Sequence, residues 1–465
     1  MKEKTRRTIK LNFIMNALLT ISSFIFPLIT FPYVSHVLLP EGTGKVSFAT
    51  SVISYFSMFA QLGIPTYGIR VCAAARDDKE KLTKSAHELL MINLIMTIIS
   101  YIVLILALLF VPRLKEERTL YVIVSLNIVF TSIGMEWLYK ALEQYTYIAV
   151  RSIIFKIIAL IAMFLLVKQR SDYIVYGGIT ILAASASNIL NFVNVHKYIG
   201  VKPVGGYNFK RHLKPVVVFF AMTCATTVYT HLDTVMLGFM TTDTDVGYYN
   251  AAVKIKSVLV GIVTSLGVVL LPRASYYVQN GLIDEFHRIT KKAINFVFIL
   301  ANPLMLYFIL FAKQGIYFLS GYEYKGAIIP MQIIMPTLLL IGVTNVLGIQ
   351  ILVPMGKEKV VLYSEIAGAS IDILINAILI PKYASSGAAI GTLVAEFVVL
   401  AVQYYALRKE VSLAFKEIHY QIIGIALVLG SVTSMWVKVL NIDNFLTLVI
   451  SSVCSLVPIE AFYCL

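Results

Sequence analysis

The residues with the strongest claim to chemistry in this chain are charged and amide side chains set inside apolar runs. The stretch VYTHLDTVMLGF, residues 228–239, holds Asp233 among methyl-rich neighbours. A carboxylate at membrane depth costs about 3 kcal/mol or more, so where one occurs it tends to line a protein cavity and mark an ion or substrate path. Asp372 and Asn376 are four apart and share a helix face, as do Thr392 and Glu396. On helices read over 213–240, 360–381 and 385–407, a rise of ~1.5 Å per residue places Asp233 and Thr392 roughly 10 Å, and Asn376 roughly 7 Å, from the outer ends. Carboxylate, amide and hydroxyl oxygens at one depth suit a proton or a hard monovalent cation. Asp233, Asp372, Asn376 and Thr392 are therefore candidates for a coupling-ion site, with sodium or a proton as the ion. The alternative is a carboxylate satisfied by Lys254, His231 or Thr230, with no exchangeable ion.

A second set is cationic. Arg70 and Arg273 stand at the inner ends of the second and eighth apolar runs, while Lys156, Lys254 and Lys256 fall within the fifth and eighth. A guanidinium fork donates two hydrogen bonds at once to a phosphate, so these five are candidates for binding an anionic substrate. Each has a plainer reading. An arginine that ends an inward-running helix complements the helix dipole, Lys254 can pair with Asp233, Lys156 can pair within its bundle, and Lys45 can snorkel from a helix end.

The elements that must carry these residues follow from composition. With 58% hydrophobic residues, 14% charged residues and a mean hydropathy of +0.82, the 465-residue chain is excluded from the soluble classes. It reads as an all-α polytopic membrane protein, since a spanning helix needs ~20 mostly apolar residues. Fourteen such runs can be marked, from 11–34 to 445–465. The basic start MKEKTRRTIK precedes a run too long for a signal peptide and is read as a retained helix. Cys72, Cys224, Cys454 and Cys464 lack metal-site or disulfide spacing. No HExxH, nucleotide-binding loop or dinucleotide fingerprint is present, so neither an enzyme nor a resident cofactor or metal is expected.

The net charge of +14 needs no nucleic acid to explain it. With the N-terminus inside, alternate loops on that side hold 26 of the 39 Lys and Arg, which is the positive-inside pattern. The chain also repeats. LLPEGTGKVSFATSVISYFSMFAQLGIPTYGIR and TTDTDVGYYNAAVKIKSVLVGIVTSLGVVLLPR align at an offset of 203, Gly44 with Gly247 and Arg70 with Arg273. Each opens a block of six helices in the same orientation, a transporter layout in which substrate lies between halves. The expected organisation is a six-helix bundle over 1–200, a cytoplasmic linker over 201–212 containing Pro203, Gly205 and Gly206, a second six-helix bundle over 213–410, and two additional helices over 411–465.

Three stretches carry a family resemblance: VLLPEGTGKVSFATSVISYFSMFAQLGIPTYGIRVCAAARDDKEKL at 37–82, LDTVMLGFMTTDTDVGYYNAA at 232–252, and LINAILIPKYASSGAAIGTLVAE at 374–396. The chain resembles members of the multidrug/oligosaccharidyl-lipid/polysaccharide exporter superfamily, and specifically the bacterial polysaccharide repeat-unit flippases of O-antigen and capsule assembly. The resemblance implies movement of polyprenyl-pyrophosphate-linked oligosaccharide across the cytoplasmic (inner) membrane by alternating access, with a cationic cavity for the pyrophosphate. It also implies membrane lipid, a polysaccharide polymerase and a chain-length regulator as partners. Some relatives are similar in having a sodium site on the corresponding helices. Two competing functions are an organic-cation exporter of the same superfamily, which should favour acidic and aromatic cavity residues, and a membrane glycosyltransferase or polymerase, which needs a large outer loop that is not visible here.

Overall fold

Segregation of side chains around each helix follows from the solvent. Helix Lys79–Phe110 turns Ile95, Ile98, Ile102, Ile105 and Leu109 outward and buries Ser85, Asn93, Thr97, Ser100 and Leu104. Lipid tails are as apolar as leucine, so they give no hydrophobic drive between helices, and small and polar residues gather at helix contacts instead. The buried face uses that polarity: Asn93 Nδ2 donates to the Ala60 carbonyl at 2.6 Å, and Thr97 Oγ1 to Ser132 Oγ at 2.7 Å.

The computed structural model describes residues 2–418, 420–440 and 442–463, and all regular structure among them is helical. Among the described residues ten helices can cross a membrane by length and composition, or eleven if the pair Tyr322–Ile334 and Thr337–Leu352, bent by 46°, counts as one span. The number of helices therefore differs from the number of apolar runs, chiefly because two helices are continuous past a break. In Lys2–Gln61 the break is at Leu39 (φ 60°, ψ 179°), and in Glu358–Lys416 it is at Ala384 (φ 46°, ψ −125°). Leu39 precedes Pro40, which disfavours the helical conformation at the residue before it. At the second break Pro381 withdraws a backbone donor, and the chain doubles back. Gln403 Nε2 donates to Ser364 Oγ at 3.0 Å, and a Cβ on Gly387 would stand 2.5 Å from the Leu379 carbonyl oxygen. These contacts fold Glu358–Lys416 into an antiparallel hairpin. The last run is described only to residue 463, so Cys464 lies outside the described residues; Cys72, Cys224 and Cys454 are free thiols.

Two compact units divide the chain: Met1–Leu38 with Lys45–His231, and Leu39–Gly44 with Leu232–Leu465. The division falls inside helix Lys210–Met240, and the 201–212 segment lies wholly in the first unit. Glu88 supplies a physical reason. It is fully buried, accepts from Arg211 Nη2 at 2.5 Å and from the Asn208 backbone N–H at 2.7 Å, and lies 2.7 Å from His212 Nε2. A buried carboxylate so engaged ties the end of the connector to helix Lys79–Phe110.

In the second unit, helix Asp243–Gln279 starts at a capping box in which the Thr242 hydroxyl and the Asp245 carboxylate each accept from the other's backbone N–H at 3.3 Å. Against its first turn lies the Leu39–Gly44 segment, where the Thr43 and Tyr324 hydroxyls meet at 2.7 Å. A Cβ on Gly44 would stand 1.8 Å from the Asp243 carbonyl oxygen, and one on Gly247 would stand 2.1 Å from that of Pro40. Pro40 and Asp243, like Gly44 and Gly247, are 203 residues apart in sequence. The offset of the repeat therefore reappears as a reciprocal contact, in which backbone meets backbone and no side chain can yield. Either Gly44→Ala or Gly247→Ala should destabilise the protein by about 1–3 kcal/mol. The expected readout is a lower melting temperature in detergent for both variants, and an unchanged one would show that the seam has room.

Candidate functional site

Asp233 lies near the C-terminal end of helix Lys210–Met240 and is 6% exposed. Three side chains from other segments bond to it. Asn376 Nδ2 donates to its Oδ1 at 2.6 Å, Thr392 Oγ1 donates to its Oδ2 at 2.8 Å, and the Tyr249 hydroxyl makes a short hydrogen bond to the same Oδ2. The Tyr249 and Thr392 hydroxyls are themselves 2.9 Å apart. The second hydrogen of the Asn376 amide serves Asp372 Oδ1 at 3.1 Å. One amide thus bridges two carboxyl groups in a place nearly closed to solvent, with Asp372 2% and Asn376 0% exposed.

The local folding that makes this possible is the hairpin. Its two arms bring Asn376 and Thr392 side by side, and the break at Ala384 sets their register. Gly391 provides the space, because a Cβ there would stand 2.2 Å from Asn376 Oδ1 and 2.7 Å from Asp372 Oδ1. Tyr249 comes from the second turn of helix Asp243–Gln279, which the capping box at Thr242 starts immediately after Asp233's own helix ends. Glu396, one turn beyond Thr392, is a third buried carboxyl and acts on the charge of Asp372, as does Lys256.

Of the residues singled out from sequence, the structure brings Asp233, Asp372, Asn376 and Thr392 together. The neutral partners first considered for Asp233 turn elsewhere: Thr230 Oγ1 donates to the Thr226 carbonyl at 2.7 Å, and His231 Nδ1 lies 3.3 Å from Ser51 Oγ. The cations are dispersed. Lys156 donates to Ser22 Oγ at 2.9 Å and Ser23 Oγ at 2.8 Å. Arg70 and Arg273 are exposed on separate units, and neither makes a hydrogen bond or ion pair among the described residues. Lys254 and Lys256 are half-buried. Two apart on a helix, they project to nearly opposite sides, and Lys256 is the one on the face of Tyr249, about two turns away. Sequence reasoning missed Tyr249 and Gly391. A tyrosine one helix turn past a capping box is a weak signal, and a glycine in a small-residue stretch is weaker still.

Chemically the site is an all-oxygen acceptor set. Asn376 Oδ1 is buried without a hydrogen-bond donor, so the site holds an acceptor with capacity left over beside two carboxyl groups. That donor set fits a proton or a hard, oxygen-seeking cation, whereas soft metals call for thiolate or imidazole. Among the described residues no group of three or more His, Cys, Asp or Glu forms a metal site.

Comparison with known proteins gives a consistent set of likenesses. The family model described as polysaccharide biosynthesis protein matches residues 9–278. The chain is 26% identical over 403 residues to a protein of Escherichia coli strain K12 named "Putative O-antigen transporter", a match covering 86% of this chain and 97% of that one. A protein of the same name from Shigella dysenteriae is 26% identical over 409 residues, covering 86% and 100%. Among solved structures, the lipid II flippase MurJ in an inward closed conformation has a TM-score of 0.72 at 15% identity and covers 96% of this chain and 98% of its own. An inward-facing MATE family multidrug resistance transporter has a TM-score of 0.66 at 14% identity, covering 87% and 99%. At such identities the structural likenesses establish the fold, a polytopic helical transporter fold.

The packing around Gly391 gives a test independent of transport. Gly391→Ala should lower stability by about 1–3 kcal/mol by displacing Asn376 and Asp372. In a background of Asn376→Ala the same substitution should cost markedly less, because the displaced group is gone. A double-mutant cycle on melting in detergent measures this coupling, and additive effects would place the strain elsewhere.

Proposed function

The chain belongs to the family of polysaccharide biosynthesis proteins, and from that premise we propose that it is a flippase moving polyprenyl-pyrophosphate-linked oligosaccharide repeat units across a membrane. The observation that carries the reading is the likeness to the O-antigen transporters over nearly their whole length, together with the family match through more than half of this chain. The chain is a transporter and not an enzyme. Its substrate joins an anionic pyrophosphate to a hydroxyl-rich head, and neither crosses hydrocarbon unaided. The positive-inside pattern supports an N-terminus in the cytoplasm of a bacterium and transfer from the inner to the outer leaflet of the cytoplasmic membrane. Such a product is a monomer for polymerisation on the far side, which makes a polymerase and a chain-length regulator the natural partners.

Coupling is assigned to the oxygen cluster of the second unit. Two buried carboxyl groups share one amide, so full ionisation of both places like charges together in a medium of low dielectric. Uptake of one proton or one monovalent cation relieves that repulsion. Asp233, with three donors, anchors the site. Asp372 shares the Asn376 amide, and the Tyr249 and Thr392 hydroxyls can rotate between donating to Asp233 and accepting in turn. Uptake drives a transport cycle only through a difference in affinity between two conformations. Arg70, Arg273 and the lysines at 156, 254 and 256 remain the proposed contacts for the pyrophosphate. The exposure of both arginines supports that role, because nothing holds their forks away from a ligand. Lys156 is less available than either arginine, since two serine hydroxyls already engage it.

The fold is also that of a multidrug exporter, so the experiment must separate substrates. In proteoliposomes with imposed sodium or proton gradients, the wild type should flip a polyprenyl-pyrophosphate-linked oligosaccharide in response to one of the gradients. Asp233→Asn and Asp372→Asn should each remove that response, with folding retained as judged by melting. A gradient response unchanged by both substitutions would reduce the cluster to a structural one. Export of an organic cation without any flipping would overturn the flippase reading.

A further inference from the structure

The first unit holds an open cavity of about 310 Å³ lined by Ser54, Ser57, Met58, Gln61, Pro65, Thr66, Asn127, Thr223, Thr227 and His231. It is polar without being charged. Eight of these ten side chains carry a hydroxyl, an amide or an imidazole, and none is an acid, a lysine or an arginine. The lining is built by regular geometry. Ser54, Ser57, Met58 and Gln61 fall at the spacing of one helix face, as do Thr223, Thr227 and His231 on helix Lys210–Met240. The break at Gly63 (φ 72°) lets these two helices converge, since a Cβ there would stand 2.4 Å from the Phe220 backbone nitrogen.

Several lining groups have hydrogen-bonding capacity left over. Gln61 Nε2 donates to Ser57 Oγ at 2.9 Å, which leaves its second N–H and its Oε1 open, and leaves the Ser57 hydroxyl hydrogen free. The side chains of Thr66, Asn127 and Thr227 make no hydrogen bond among the described residues. Thr223 spends its hydrogen on the Phe219 carbonyl at 3.0 Å and can still accept. Open donors and acceptors therefore face a space at the lower end of the ~300–1,000 Å³ usual for small-ligand sites. Met58 and Pro65 add short apolar surface.

We propose that this cavity is a sugar subsite, taking one uncharged pyranose ring of the substrate by its hydroxyl groups. The proposal rests on the flippase reading and deepens it by naming which part of the substrate the first unit recognises. A polyhydroxyl ring presents donors and acceptors around an apolar face, and the lining offers neutral donors and acceptors together with the apolar surface of Met58 and Pro65. An organic cation would lack a counter-charge here, and a pyrophosphate would lack a cation. The subsite thus divides recognition: neutral hydroxyls are read in this cavity, while the anionic link must be held by other residues.

The test uses full-length protein in nanodiscs and two probes, a polyprenyl pyrophosphate carrying a neutral trisaccharide and the same lipid with no sugar. The double variant Asn127→Leu, Thr227→Val keeps shape and removes hydrogen bonding. With two hydrogen bonds lost at about 1 kcal/mol each, the variant should bind the sugar-bearing probe about thirtyfold more weakly while binding the sugar-free lipid as the wild type does. A second variant, Gln61→Met, should weaken the sugar-bearing probe alone by a smaller factor and guards against a folding defect in the first. Wild-type affinity for the sugar-bearing probe in both variants would overturn the subsite and leave the flippase reading standing. Equal loss for both probes would also overturn it, as a loss of general integrity. Failure of the wild type to bind either probe would overturn the subsite together with the reading on which it rests.

Discussion

A carboxylate held out of water must receive its hydrogen bonds from the protein, and the second unit is arranged around meeting that demand at Asp233. Its three donors arrive on different segments: Asn376 and Thr392 on the two arms of one hairpin, and Tyr249 on the helix after the capping box. None can shift by one residue without turning its polar group off the acid, so the acid fixes the register of the elements that serve it. Gly391 shows how closely the arms approach, since even a methyl group would collide with Asn376 and Asp372. In lipid this kind of constraint replaces the hydrophobic drive that positions helices in water.

The two units manage polarity differently. In the first, buried charges are compensated locally: Glu88 by Arg211 and His212, and Arg151 by Glu136 at 2.8 Å. What remains open in its cavity is neutral. In the second, two carboxyl groups lean on one amide, and an acceptor oxygen beside them has no donor. A neutral hydroxyl-rich surface recognises without storing electrostatic energy, whereas a pair of buried acids stores it until a cation or proton arrives. Recognition and energy coupling call for these opposite properties, and the two proposed sites have them.

Sequence made the acidic cluster legible because Asp233, Asp372 and Asn376 are costly in an apolar run and helical spacing put each on a definable face. It could not reveal Tyr249, since tyrosine is tolerated at many membrane positions and acquires a role only through where its hydroxyl lands. Gly391 was equally silent, because a close approach is a property of two chain segments. The offset of 203 was legible as a repeat, but its consequence, a reciprocal contact between Gly44 and Asp243 and between Gly247 and Pro40, needed coordinates. The Gly/Pro connector shows the limit of composition. Residues 201–212 read as a loose joint, and nothing local in their sequence announces that Glu88, more than a hundred residues earlier, engages Asn208, Arg211 and His212.

The magnitudes bear on how such a cluster could drive transport. Moving a two-state equilibrium from 1:99 to 99:1 takes about 5.5 kcal/mol of differential binding. In the proposed coupling, one proton or cation taken up in only one conformation relieves the repulsion between the Asp233 and Asp372 carboxylates there, and a single such interaction supplies only part of that difference. The remainder has to come from substrate, through contacts made better in one conformation than in the other. A carrier built this way does not cycle fully on ion alone or on substrate alone. The requirement for both follows from the size of a single buried-charge interaction, and it would keep an ion gradient from being dissipated when no lipid-linked sugar is present.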